Sequence, residues 1–247
     1  MIDLQNIYID YPLDPVDGAS LKQSLLNALD RNKGRRKNYF RALDNISLKI
    51  QGGERVGLIG LNGAGKSTLL RVMSRIFQPT SGFARIDGRV SPLLDMATGF
   101  ELHHTGVENI RTRLMFLGES QKSIEGKIDE IAKFSELGDF LHQTARTYST
   151  GMFMRLAFAT STAIRPDILI ADEIIGTGDA QFSDKAEARI AKLLSEGKIT
   201  IISSHSMGII RKFCNRVIWL HHGKIISDGP TEVVINEYEN RAPKMIK

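Results

Sequence analysis

The chain of 247 residues contains a single cysteine, Cys214, and has no long apolar run. One cysteine cannot form a disulfide within the chain, which favours a reducing compartment. No stretch approaches the roughly 18 consecutive apolar residues that a membrane-spanning helix needs. The N-terminal residues lack the basic and apolar regions of a signal peptide. We therefore expect a protein of the cytoplasm, and any membrane role would have to come through a partner.

Basic residues outnumber acidic ones. The 33 lysines and arginines exceed the 28 aspartates and glutamates, and the formal net charge is +5. Six of the basic residues lie within positions 31–41: Arg31, Lys33, Arg35, Arg36, Lys37 and Arg41. Such a balance suits an anionic partner, but charge alone does not choose among a nucleotide, a lipid headgroup and a nucleic acid.

The apolar periodicity predicts an α/β protein. Strand patterns occupy Ile2 to Tyr8, Ile46 to Ile50, Arg55 to Ile59, Ile168 to Ala171 and Ile199 to Ile202. Helical spacing prevails from about residue 106 to 165 and again from Asp184 to Leu194, and residues 217–226 have the pattern of a hairpin. Buried strands that alternate with helices predict a mainly parallel core sheet, here interrupted by a helical insertion.

One glycine-rich segment carries recognisable chemistry. Gly60 to Ser67 fits the pattern G-x-x-x-x-G-K-[ST], after a predicted strand and before the helical run Thr68 to Met73. Its glycines let backbone N–H groups converge on phosphate oxygens, Lys66 can neutralise the β- and γ-phosphates, and Ser67 suits Mg²⁺. A chance glycine turn is the alternative, which the strand–loop–helix context disfavours. The predicted ligands in this loop are Asn62, Gly63, Ala64, Gly65, Lys66, Ser67 and Thr68.

Five further elements lie around this loop. They are the apolar run ending in Asp172-Glu173, the segment Tyr148 to Met152, His205 after a predicted strand, Gly178-Asp179, and Tyr11 after the first strand. In their order along the chain they resemble the ATP-binding cassette family, and the resemblance covers nearly the whole chain. It implies a P-loop NTPase fold with a mainly parallel core sheet, an N-terminal antiparallel β part and a helical subdomain. It also implies an ATPase that uses Mg²⁺.

The resemblance implies a role for each residue that matches. Asp172 would hold Mg²⁺ through water, and Glu173 would polarise the attacking water. His205, like Lys66, would contact the γ-phosphate. Tyr11 would stack on adenine, although packing of its ring within the protein is an open alternative.

Three more matching residues imply a second copy of the chain. Ser149 and Gly151 would address the γ-phosphate of ATP held by that copy, and Asp179 would lie at the dimer interface. For Ser149 alone, a simple helix N-cap is the alternative.

The sequence departs from the family pattern at two places. The usual signature is Leu-Ser-Gly-Gly-Gln, of which only Ser149 and Gly151 are present. A glutamine is expected near Asp95, and none is there. Asp95 could supply an oxygen to Mg²⁺ or to its water, or it could be a solvated loop carboxylate.

The resemblance implies one domain with internal divisions. Residues 1–95 and 166–247 would form the core with its β part, about 96–165 the helical subdomain, and 13–41 a family-specific insertion. Segments such as Tyr148 to Met152 and Thr105 to Asn109 are similar to ATPase subunits that export lipid-linked polysaccharides. That branch implies a permease dimer as partner, an undecaprenyl-diphosphate-linked glycan as cargo, and a peripheral place on the cytoplasmic face of the inner membrane. O-antigen is the expected cargo, with teichoic acid or capsule as alternatives.

The insertion suggests contact with an anionic surface. Ser20 to Leu29 has the pattern of an amphipathic helix, and the basic stretch Arg31 to Arg41 follows it. We hypothesise that both lie against the inner leaflet or the cargo pyrophosphate. A solvated basic loop is the alternative.

A different class of function is a soluble cassette protein that acts on ribosomes or DNA. Such proteins usually carry two tandem cassettes or a long coiled-coil insertion, and this chain has neither. We therefore expect no nucleic-acid partner.

Overall fold

The structure, a computed structural model, describes residues 1–13, 39–94, 96–172 and 180–245. Five predictions fall outside these ranges: the roles of Asp95, Glu173 and Asp179, the helix Ser20 to Leu29, and most of the basic stretch Arg31 to Arg41. Within the described ranges, none of the helices is both long and apolar enough to cross a membrane.

The described residues form nine strands and seven α-helices. The strands are β1 (Ile2–Pro12), β2 (Tyr39–Ile50), β3 (Arg55–Ile59), β4 (Ser81–Ile86), β5 (Val90–Leu93), β6 (Ile168–Asp172), β7 (Ile199–Ser203), β8 (Arg216–His221) and β9 (Lys224–Pro230). The helices are α1 (Lys66–Met73), α2 (Gly106–Phe116), α3 (Gln121–Ser135), α4 (Thr150–Ser161), α5 (Ala180–Glu196), α6 (Met207–Phe213) and α7 (Thr231–Met245). Two 3₁₀ turns, Gly138–His142 and Ala145–Thr147, lie between α3 and α4.

Two sheets organise the molecule. An antiparallel sheet has the order β2-β1-β4, and a larger sheet has the order β5-β6-β7-β3-β8-β9. In the larger sheet all neighbours are parallel except the β8–β9 hairpin. Every residue of β7 and nearly every residue of β3 and β6 is buried, because these strands have layers on both faces. The predicted fold class is confirmed.

The helices α2, α3 and α4 pack on one another around a hydrophobic cluster of their own, which includes Ile110, Ile124 and Leu156. The 3.6-residue spacing of their apolar side chains gives each helix one buried face. The predicted helical region therefore contains three α-helices, and two 3₁₀ turns lie in the connection between α3 and α4.

The structure corrects two boundaries. Tyr11 lies within β1, not after it, and β7 ends at Ser203, so His205 is the second residue beyond the strand. The last three residues of the expected insertion 13–41 belong to β2, which begins at Tyr39. Arg41 consequently belongs to the sheet, where its guanidinium pairs with Asp10 at 2.8 Å.

Candidate nucleotide-binding site

The phosphate loop starts at the end of β3, an inner strand of the larger sheet that pairs with β7 and β8. Gly60 has φ +147°, and a Cβ there would lie 2.3 Å from the carbonyl oxygen of Leu220. Gly65 has φ +102°, and a Cβ there would lie 2.8 Å from the carbonyl oxygen of Ala42. Both positions therefore require glycine. The chain packs tightly beneath the loop and enters α1 immediately after it, so the first N–H groups of α1 point toward the loop.

Lys66 follows this loop as the first residue of α1. Its side chain is only 7% exposed, and its ammonium group donates hydrogen bonds to the carbonyls of Gly60 at 2.8 Å and Leu61 at 3.1 Å. The positive charge is thus held among backbone groups at the N-terminus of α1, a place that already favours an anion.

Ser67 and Asp172 meet although 105 positions separate them in the sequence. Ser67 lies in the first turn of α1, and Asp172 ends β6, two strands away from β3. The carboxyl ends of parallel strands share one edge of the sheet, so the Ser67 hydroxyl donates to a carboxylate oxygen of Asp172 at 2.8 Å. A hydroxyl and one carboxylate fit Mg²⁺, which takes oxygen ligands and usually completes its shell with phosphates and water.

A cavity of about 450 Å³ opens over the loop. Its lining includes these residues predicted to bind ATP or Mg²⁺: Tyr11, Asn62, Gly63, Gly65, Lys66, Ser67, Thr68, Asp172 and His205. Ala64 is not among them, because it is buried beneath the loop, where its carbonyl accepts a hydrogen bond from the N–H of Gly223 at 2.9 Å.

Three lining residues were missed by the sequence reasoning: Phe40, Ala42 and Leu94. Phe40 and Ala42 alternate along β2, where the period-two pattern could have been extended toward the N-terminus. Leu94 follows β5, a strand that was not predicted.

Ser149 and Gly151 lie elsewhere. Ser149 is the N-cap of α4, its hydroxyl accepts from the N–H of Met152 at 3.2 Å, and both Ser149 and Gly151 are exposed. Neither residue lines the cavity over the phosphate loop. Within one chain, Ser149 thus acts as a helix N-cap, the alternative considered for it. Its hydroxyl accepts in this contact, so its own proton can still be donated to a ligand.

Comparison with known proteins places this geometry in context. Residues 43–176 match the family described as ABC transporter. The O-antigen export system ATP-binding protein RfbE of Yersinia enterocolitica is 42% identical, over 91% of this chain and 96% of that protein. The teichoic acids export ATP-binding protein TagH of Lactococcus lactis is 39% identical over 94% of this chain, which spans only 49% of TagH.

Solved structures share the fold. The dimeric ATP-binding cassette MJ0796 in a post-hydrolysis state with ADP and Pi has a TM-score of 0.69 and 22% identity, over 94% of this chain and 99% of that one.

Proposed function

The chain belongs to the ABC transporter family of ATP-binding proteins, and from that premise we propose that it powers export of an undecaprenyl-diphosphate-linked polysaccharide, with O-antigen as the cargo. It is an ATPase that binds ATP. The observation that carries the choice of cargo is the 42% identity to an O-antigen export protein that the chain matches over 96% of its length. The 39% identity to TagH supports teichoic acid as the second candidate.

We assign the cavity over the phosphate loop to Mg·ATP. Lys66 and the first N–H groups of α1 would hold the β- and γ-phosphates, and Asn62 and Gly63 would border them. Ser67 and Asp172 would hold Mg²⁺, which when bound neutralises phosphate charge during transfer to water. Asp95, close in sequence to the cavity-lining Leu94, would add an oxygen to that site.

Glu173 is the proposed general base. It directly follows Asp172, the last residue of β6, and a carboxylate there could polarise a water near the γ-phosphate. His205 reaches the same cavity from the end of β7 and would contact the γ-phosphate. Both assignments rest on the order of the motifs together with the location of Asp172 and His205.

We propose that two copies of the chain complete each site. Ser149 and Gly151 are exposed at the start of α4 and lie outside the cavity of their own chain. In a head-to-tail dimer they would bind the γ-phosphate held by the other copy, with Asp179 at the interface. The dimeric cassette with the same fold supports this arrangement.

We further propose a permease dimer as partner and a peripheral location on the cytoplasmic face of the inner membrane. In the insertion, the basic residues before Tyr39 would face the inner leaflet or the cargo pyrophosphate. Arg41, at the end of this stretch, pairs with Asp10 and remains half exposed.

Export can be tested by complementation. The chain and the permease of an O-antigen export system would be expressed in a strain that lacks its own O-antigen export ATPase and permease but makes the matching glycan. We expect surface O-antigen to be restored, and we expect none with Lys66→Ala at equal protein level. An active ATPase that restores teichoic acid export but not O-antigen export would contradict the choice of cargo.

A further inference from the structure

A buried hydroxyl without a partner lies next to the proposed metal site. Ser203 is the last residue of β7 and its side chain is 0% exposed. Among the described residues, its side-chain oxygen has no hydrogen-bond partner. Burial of a hydroxyl that forms no hydrogen bond costs free energy, and such groups are rare in folded proteins. The residues around Ser203 indicate what this hydroxyl can bind.

Ser203 shares a face of the larger sheet with Asp172. The two residues are partners in the parallel register of β6 and β7, and such partners project their side chains to the same face. On this face, Ile170 of β6 and Ile201 of β7 belong to the core cluster that also contains residues of α1. The side chain of Ser203 therefore lies on the α1 side of the sheet, where the hydroxyl of Ser67 donates to Asp172.

The two sheet neighbours of Ser203 differ in what they offer a hydroxyl. On β3 its register partner is Leu58, which is apolar. On β6 its partner is Asp172, whose Oδ2 accepts from Ser67 at 2.8 Å. The other oxygen, Oδ1, accepts no hydrogen bond from the part of the chain that the structure describes. Neighbouring strands are roughly 4.8 Å apart, so a change of the Ser203 rotamer can bring this unused donor to the unused acceptor.

We propose that Ser203 is a positioning residue for the metal site, and that its hydroxyl donates to Oδ1 of Asp172 and orients the carboxylate for Mg²⁺. This inference rests on the proposed function, in which Ser67 and Asp172 hold the metal. Hydrogen bonds from residues behind the metal-binding groups orient those groups and strengthen metal binding. The buried position suits this role, because water does not compete for the hydroxyl there.

The test separates binding of the metal from binding of the nucleotide. The affinity of the full chain for a non-hydrolysable ATP analogue would be measured by calorimetry, once with Mg²⁺ and once in EDTA. Ser203→Ala should weaken binding roughly 10-fold with Mg²⁺, the lower end of the effect of losing such a hydrogen bond, and should leave binding in EDTA unchanged. Ser203→Cys should show the same loss, because a thiol keeps the shape of the side chain but is a weak donor.

Ser91→Ala is the matched control. Ser91 of β5 is 1% exposed, and within the described ranges its hydroxyl also has no hydrogen-bond partner. It is in register with Leu169, which lies three positions before Asp172 and hence on the opposite face of the sheet. Its removal should leave both affinities unchanged. Neither Ser91→Ala nor Ser203→Ala should lower the midpoint of thermal unfolding of the nucleotide-free chain, because each removes a buried hydroxyl that forms no hydrogen bond.

The outcomes separate this inference from the proposed function. If Ser203→Ala binds the analogue with native affinity in Mg²⁺, or loses the same factor in EDTA, the role of Ser203 is wrong while the metal site stands. A loss in Ser203→Ala with native affinity in Ser203→Cys would also overturn it, since the loss would then come from the missing volume and not from the hydroxyl. If the native chain binds the analogue no better with Mg²⁺ than in EDTA, the proposed metal site is wrong, and the role of Ser203 is wrong with it.

Discussion

At the residue scale, the candidate site depends on contacts between groups that are distant in sequence. The hydroxyl of Ser67 and the carboxylate of Asp172 form one such pair, 2.8 Å apart at the shared edge of the parallel sheet. Mg²⁺ commonly binds to one or two carboxylates together with substrate phosphates, and this pair belongs to the proposed metal site. Removing the negative charge of Asp172 should impair hydrolysis, which depends on the metal, without impairing binding of the phosphates.

Asp172→Asn is expected to reduce ATP hydrolysis by roughly 100-fold or more, because an amide of the same shape cannot replace the negative charge beside Mg²⁺. Binding of ATP without Mg²⁺ should be unchanged or stronger. Steady-state ATPase assays over a range of Mg²⁺ concentrations measure the first effect, and calorimetry in EDTA measures the second.

Asp167→Asn provides the control for this change. Asp167 precedes β6, at the end of the strand opposite Asp172, and its carboxylate pairs with Lys198 at 2.7 Å. Its ATPase activity should match the native rate. An unaltered Mg²⁺ dependence in Asp172→Asn would show that this carboxylate does not serve the metal.

The sequence identified the loop residues and Asp172 because their patterns are local. A strand, a glycine turn and a helix follow one another within Arg55 to Met73, and each has its own signal. Phe40 was not identified, because its proximity to Tyr11 arises from antiparallel register across an intervening segment of more than twenty residues. Such pairing depends on tertiary structure and leaves no short spacing to detect.

At the element scale, a polar network links the start of β5 to the helical region. Arg89 donates to the carbonyl of Leu117 at 2.8 Å and pairs with Glu119, which also accepts hydrogen bonds from Ser123 and from Lys127 at 3.0 Å. Burial raises the pKa of Glu119, but the hydrogen bonds from these three side chains outweigh it and lower the pKa to about 2. The ionised carboxylate therefore stabilises the connection between core and helices.

Glu119→Gln is expected to lower the free energy of unfolding at pH 7 by about 2 kcal/mol, a value reduced from the full shift because Arg89 is partly exposed. The folded pKa lies below the ordinary 4.5, so the contribution of Glu119 is complete above that pH and declines as the pH falls toward about 2. Urea unfolding at pH 7 and pH 3 should thus show a smaller difference between variant and native chain at pH 3.

Glu125→Gln serves as the reference for an exposed ion pair. Glu125 is 46% exposed and pairs with Arg111, and it should contribute much less to the free energy of unfolding than Glu119 does. An equal destabilisation by Glu119→Gln at both pH values would contradict the role of the ionised carboxylate.

Four elements were not predicted: α6, α7, β4 and β5. The two strands among them have weak patterns. β4 is mostly exposed and lacks a regular buried face, while β5 has only four residues and includes Pro92. Short edge strands of this kind are fixed by their partners in the sheet more than by their own composition. By contrast, β3, β6 and β7 are apolar and buried, and their predicted positions agree with the structure to within a residue.

At the scale of the whole molecule, the two halves of the proposed ATP site lie on different surfaces of one chain. The cavity over the phosphate loop contains Lys66, Asp172 and His205, whereas Ser149 is exposed at the start of α4. If hydrolysis needs both halves, it needs two chains, as a head-to-tail dimer supplies. The cavity of a single chain should bind ATP. It should hydrolyse that ATP only when Ser149 of a second chain lies opposite the cavity.

The most direct test mixes two variants, Glu173→Gln and Ser149→Ala, each expected to bind ATP and to be nearly inactive alone. In a mixed dimer, one of the two sites is intact. It combines the phosphate loop and Glu173 of the Ser149→Ala chain with the Ser149 of the Glu173→Gln chain. Equal mixing should restore up to about a quarter of native ATPase activity, since half of the dimers are mixed and each has one working site. Ser120→Ala, which removes the equivalent cap of α3, should keep its activity alone. A mixture no more active than its two components would contradict a site shared between chains.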